Sequence, residues 1–192
     1  QKLVGKWQKY VENGGNLILT CRTGQKDKNG HFFEANWSAP IVPLIGADVE
    51  FFDMLVADVN GTVKAGENSY KWNTWADVLN PKKGTEVLAT YEDQFYKGKA
   101  AATTRKLGKG TVTYVGVESN DGDFERQIVR TIYSRANVAI EDLPKGVFIE
   151  WRDGFYVGVN YTSEPINLPI PKGSKIVVGQ NPLQPAQAVI WK

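Results

Sequence analysis

The opening 24 residues constrain this chain more than any other stretch. Leu3, Val4, Trp7, Tyr10 and Val11 recur at three- and four-residue spacing, which predicts a helix over residues 1–12. Asn13-Gly14-Gly15 follows, residues that accept the left-handed backbone of a helix end, and then an apolar run, Leu17-Ile18-Leu19. Helix, glycine turn and buried strand make half of a βαβ unit, so an α/β domain is expected. The first residue is Gln1, and no charged segment leads into an apolar one, so a secretory signal is not expected here. The helix that is already under way reads as the start of a fragment of a larger polypeptide.

Composition removes several classes. One cysteine, Cys21, cannot form an internal disulfide, and with the single His31 it cannot complete a four-ligand Cys/His zinc cage. The absence of disulfides leaves the compartment open, cytoplasmic or periplasmic. Lys plus Arg number 23 against 21 Asp plus Glu, a balance with no electrostatic footprint for nucleic acid or an anionic membrane. No apolar run reaches the roughly 20 residues of a membrane-spanning helix, and a soluble protein is expected. Six Trp, eight Tyr and eight Phe supply ample surface to bury, which excludes disorder.

Along the chain, residues 22–36 read as a polar surface loop, and Ala39 to Ile45, broken by Pro40 and Pro43, as a short irregular helix. Strands are expected at Val49 to Leu55, Tyr70 to Leu79, Glu86 to Tyr91 and Thr111 to Val117. Asp121 and Asp123 offer N-caps to a helix whose Phe124, Ile128, Ile132 and Ala136 share a face. Six of the nine prolines fall after Asp142, and only short alternating runs remain there. The expected organisation is an α/β domain over residues 1–140, incomplete at its N-terminus, and a small antiparallel β-sandwich-like domain over residues 141–192.

Few residues promise chemistry. Cys21 stands at the carboxyl end of a buried strand, where open α/β sheets place their sites. The run from Gly14 to Gly24 looks like the nucleophile turn of class I glutamine amidotransferases. A thiol needs a base, and the only imidazole, His31, lies in the polar loop without the His-x-Glu motif of that family. Cys21 therefore reads chiefly as a small packed residue and His31 as a loop residue. Gly108-Lys109-Gly110 precedes a strand rather than a helix, so it reads as a tight hairpin and not a phosphate cradle. Trp72, Trp75, Trp151 and Trp191 fall on β elements and could stack on sugar rings, although Trp on a strand is more often core or interface. The sequons at Asn36, Asn60 and Asn160 carry little weight. No catalytic, cofactor-binding or metal-binding residue is assigned.

Six segments in order carry a resemblance: Tyr10-Val11-Glu12-Asn13-Gly14-Gly15, Leu19-Thr20-Cys21-Arg22-Thr23-Gly24-Gln25-Lys26-Asp27, Trp75-Ala76-Asp77-Val78-Leu79, Val87-Leu88-Ala89-Thr90-Tyr91, Phe95-Tyr96-Lys97-Gly98-Lys99-Ala100-Ala101, and Gly108-Lys109-Gly110-Thr111-Val112-Thr113-Tyr114-Val115-Gly116. Together they resemble the trimerisation domain of glycoside hydrolase family 42 β-galactosidases, and Leu143 to Lys192 looks like that family's small C-terminal β domain. Cys21 departs from the pattern, where Pro is expected in many relatives. The resemblance implies a glutamine-amidotransferase-like (flavodoxin- or Rossmann-like) three-layer fold. It also implies a homotrimeric parent enzyme whose separate N-terminal (β/α)8 barrel hydrolyses terminal β-D-galactosides with two glutamates and retention of configuration. No residue of this chain inherits a catalytic role. The reading is a non-catalytic oligomerisation and accessory fragment that needs no cofactor. The alternatives are an amidotransferase-like hydrolase that uses Cys21 and a carbohydrate-binding module.

Overall fold

The structure is a computed structural model that describes residues 2–34 and 37–192; the sequon at Asn36 lies outside the described residues. Two compact units divide the chain, Gln1–Ala139 and Ile140–Lys192.

In the first unit, helix α1 (Lys2–Glu12) turns Val11 into the core and ends where Gly14 takes a φ of 110° and Gly15 N donates to Tyr10 O at 3.0 Å. Strand β1 (Asn16–Thr20) follows, then the short helix α2 (Val42–Ile45) and strands β2 (Ala47–Asp53), β3 (Gly61–Ala65), β4 (Asn68–Pro81), β5 (Thr85–Tyr91), β6 (Ala100–Leu107), β7 (Gly110–Val115) and β8 (Val117–Ser119). Helix α3 (Asp123–Arg135) closes the unit. The sheet runs β1-β7-β6-β5-β3-β4-β2, with β8 beside β4. Only β1 and β7 pair in parallel among the described strands.

The expected α/β domain is thus a mainly β unit with a few helices and one parallel pair. The physical reason lies in short connections. A parallel pair needs a long crossover, whereas Gly108 and Lys109 turn β6 directly into β7, and Gly66 and Glu67 turn β3 into β4, so these neighbours are antiparallel. Residues on both faces of β7 are buried: Val112 and Tyr114 join Val11, Ile41 and Ile45, whereas Val115 joins Trp72, Tyr91, Phe124 and Ile128.

Three strands were not expected as such: β3, β6 and β8. Ala100-Ala101-Ala102 favours helix by propensity, yet as β6 it is an inner strand between β5 and β7, where alanines leave room for neighbours on both faces. The single strand expected from Thr111 to Val117 divides at Gly116, whose N donates to Ala101 O at 2.8 Å and whose O accepts from Asp77 N at 2.6 Å. The cap of α3 also differs. Gly122 is the N-cap residue with φ 78°, Asp123 is already helical, and Asp121 Oδ1 accepts from Asp123 N at 3.0 Å. Phe124, Ile128 and Ile132 are buried as the periodicity requires.

The second unit is one antiparallel sheet, ordered β11 (Ile176–Val178), β12 (Ala188–Trp191), β10 (Phe155–Asn160) and β9 (Val147–Arg152). No second sheet faces it among the described residues, so "sandwich" overstates the layering. Pro165, Pro169 and Pro171 remove ladder donors between β10 and β11, and that segment contributes only the Ile166↔Leu183 bridge. Leu168 and Leu183 nevertheless fill one face against Val147, Val189 and Trp191.

Candidate functional site

The carboxyl end of β1 delivers Cys21 beside Asp77, a fully buried residue of β4. Tyr114 OH donates to Asp77 Oδ2 at 2.7 Å, Trp75 Nε1 to Oδ1 at 2.8 Å, and the Arg22 backbone N to Oδ2 at 3.1 Å. One carboxylate thereby joins β4, β7 and the end of β1. Burial raises the Asp77 pKa, and the three hydrogen bonds oppose that rise by favouring the charged form. The phenol of Tyr114 is pushed well above its ordinary value, first by burial and then by the Asp77 charge, so it stays a donor.

Cys21 is pushed up to about 12 by burial, then by the charges of Asp77 and Glu118; Arg22 lowers it less. Only the thiolate attacks, and near neutrality burial keeps this group as the thiol. His31 does not reach it. The imidazole is on the exposed loop with Nδ1 3.9 Å from Asp27 Oδ2. The cleft beside Cys21, about 460 Å³, is lined by Arg22, Glu118, Ser119 and Glu125. Ser119 gives both its backbone N and its hydroxyl to the Glu125 carboxylate, which occupies that carboxylate within the protein. Among the described residues no three His, Cys, Asp or Glu side chains gather to hold a metal.

Arg22, in a left-handed conformation with φ 67°, lays its guanidinium 4.9 Å over Trp75. Trp75 stacks on Phe52 at 4.6 Å, Phe52 on Trp37 at 4.7 Å, and Trp37 on Phe32 at 5.5 Å, where the Lys26 ammonium stands 4.9 Å above the ring. This cation-capped column ties the loop after β1 to the sheet edge.

Of the four tryptophans considered for sugar, Trp72, Trp75 and Trp191 are buried. Only Trp151 is open, at 60%. Asn160 is buried too: its Nδ2 donates to Glu164 O and Leu183 O, and its Oδ1 accepts from Thr162, so that amide is committed to the fold. Asn60 is exposed, with its Oδ1 accepting from Asn120 at 2.7 Å. The Asp77 cluster was missed in the sequence because Asp77 alternates with apolar neighbours. A signal existed in residue parity: Asp77 shares its strand face with Trp75 and Leu79, so it lies in an apolar stripe.

Fold and site together describe a mainly β domain in which the Asp77 and Glu125 carboxylates are hydrogen-bonded within the protein. The family model for the β-galactosidase trimerisation domain matches residues 1–139, and the chain belongs to that glycoside hydrolase family 42 domain family. β-Galactosidase BgaH of Haloferax lucentense is 31% identical over 173 residues, 90% of this chain and 26% of that protein. β-Galactosidase Pbg of Clostridium perfringens is 30% identical over 171 residues, 82% of this chain and 24% of that protein. The solved β-galactosidase of the Antarctic haloarchaeon Halorubrum lacusprofundi superposes with a TM-score of 0.86 at 28% identity, covering 100% of this chain and 29% of that one. The chain therefore spans about a quarter of the length of the curated relatives it matches.

Proposed function

We propose that this chain is the assembly and accessory part of a β-galactosidase, that it holds three copies together, and that a separate catalytic barrel hydrolyses terminal β-D-galactosides. The observation that carries this is the family match over the whole first unit, joined to a Cys21 thiol whose pKa is raised and a sole imidazole, His31, that is on an exposed loop beside Asp27. Galactoside then meets the assembly only through the barrel, and no cofactor is required. Helix α1, the Gly14-Gly15 turn and the parallel β1–β7 pair support an amidotransferase-like ancestry for the first unit, with Cys21 at the position of the old nucleophile. Light scattering on the full-length parent enzyme tests the assembly role. A species of three copies is expected, and a stable monomer of that parent overturns it.

A further inference from the structure

The chain holds two sulfur atoms, one in Cys21 and one in Met54. An accessible thiol is ordinarily the first of such a pair to meet an oxidant, because its thiolate is the stronger nucleophile. This fold arranges the pair the other way round.

Met54 follows Asp53, the last residue of β2, and the chain keeps that strand's alternation for a few residues more. Asp53 and Leu55 are tied to the body of the unit: Tyr96 OH donates to Asp53 Oδ2 at 2.7 Å, and Leu55 packs against the core that holds Trp72 and Phe124. Met54 and Val56 therefore face out, at 58% and 72% exposure. The backbone is held here too, since Met54 N donates to Asp53 Oδ1 at 2.8 Å. A residue pinned on both sides keeps its thioether in water. A thioether has no proton to lose before it reacts, so its nucleophilicity is available at any pH near neutrality.

Cys21 is withdrawn by comparison. It is half-buried just past the end of β1, and the charges of Asp77 and Glu118 beside it disfavour the thiolate. With the thiol pushed up to about 12, only about one molecule in 10⁵ carries the thiolate at pH 7.

We infer that Met54 is the residue of this chain that hydrogen peroxide oxidises, a reversible modification site on the loop between β2 and β3. A lone pair of Sδ attacks one peroxide oxygen and the O–O bond breaks. The departing hydroxide takes the proton of the transferred hydroxyl and leaves as water, so sulfur is oxidised to the sulfoxide and peroxide is reduced. The product places a polar S–O group beside Val56 and Val59, the exposed aliphatic side chains of the same loop. Methionine sulfoxide reductases restore the thioether, one enzyme for each sulfoxide epimer.

The test exposes the full-length protein to hydrogen peroxide at pH 7 and follows the peptides that contain Met54 and Cys21 by mass spectrometry, with free methionine in the same solution as the clock. In the folded protein Met54 should gain one oxygen within about tenfold of the rate of free methionine, and Cys21 should oxidise at less than about a tenth of the Met54 rate. Protein unfolded in guanidinium chloride before the peroxide is added should show the opposite order, with Cys21 the faster. Met54 oxidation slower than that tenfold margin overturns the assignment, because the loop is then covered in the intact protein. So does a folded Cys21 that exceeds a tenth of the Met54 rate. An order that survives unfolding also overturns it, because the fold is then not what sets the two sulfurs apart.

Discussion

The Asp77 cluster and the loop that leaves the nearby end of strand β2 show opposite uses of side-chain chemistry. In the cluster, Asp77, Trp75 and Tyr114 are buried and hydrogen-bonded to one another, and the half-buried thiol beside them is held protonated. On the 54–59 loop, the aliphatic side chains of Val56 and Val59 stand in water. Reactive types in the interior act here as fasteners, whereas plain aliphatics are left in water at the surface. The lesson is that residue type alone misleads about where a side chain lies.

Breaking the fastener should give the largest effect. Asp77→Ala strands the Tyr114 hydroxyl, the Trp75 indole N–H and the Arg22 backbone N–H in a buried place, and should cost about 3–5 kcal/mol by chemical denaturation. Asp77→Asn keeps the shape but offers an amide nitrogen where a donor needs an acceptor, and should fall between that variant and the wild type. A loss below about 1 kcal/mol for Asp77→Ala would mean that the cluster is incidental.

Next comes the thiol. With its pKa pushed up to about 12, Cys21 exposes on the order of 10³-fold less thiolate at pH 8 than an ordinary cysteine, and iodoacetamide should label the folded chain that much more slowly than the unfolded one. Labelling at equal rates would place Cys21 among reactive cysteines after all.

The smallest effect belongs to the surface. Arg135 grips Glu86 with two hydrogen bonds of 2.8 and 2.7 Å, which lower the Glu86 pKa, while both side chains remain about half exposed. A lowered carboxyl pKa adds stability above the unfolded value and loses it as pH falls through the folded one. Because solvent screens the pair, that contribution should stay under about 1 kcal/mol. Comparing wild type with Glu86→Gln between pH 7 and pH 2.5 reads it as a difference that fades on acidification.

How much of this was legible depended on whether the signal was local. Helix α1, its Gly14-Gly15 end and the Phe124, Ile128, Ile132 stripe of α3 follow from spacing within one element, and they stand in the structure where the spacing puts them. Strand β6 was hidden because Ala100 to Ala102 take their conformation from the strands beside them. The Asp77 cluster draws its partners from positions 22, 75 and 114, and only the fold brings these together. The aliphatic stretch at 54–59 was hidden because Met54 and Leu55 continue the strand pattern expected over Val49 to Leu55, whereas β2 ends at Asp53, and exposure is a property of the finished surface.

The single parallel pairing has a consequence for synthesis. Asn16 to Thr20 lie beside Thr111 to Val115, so β1 finds its hydrogen-bonding neighbour only 95 residues later. The corner is closely fitted once formed: a β-carbon on Gly110 would come within 2.0 Å of Gly15 O. On a ribosome adding about 5–20 residues per second, Leu17-Ile18-Leu19 therefore remain without their partner strand for roughly 5–20 s after emerging. Throughout that interval the nascent chain displays an apolar segment early and can bury it against β7 only late, which makes it a natural client for a chaperone that holds emerging chains.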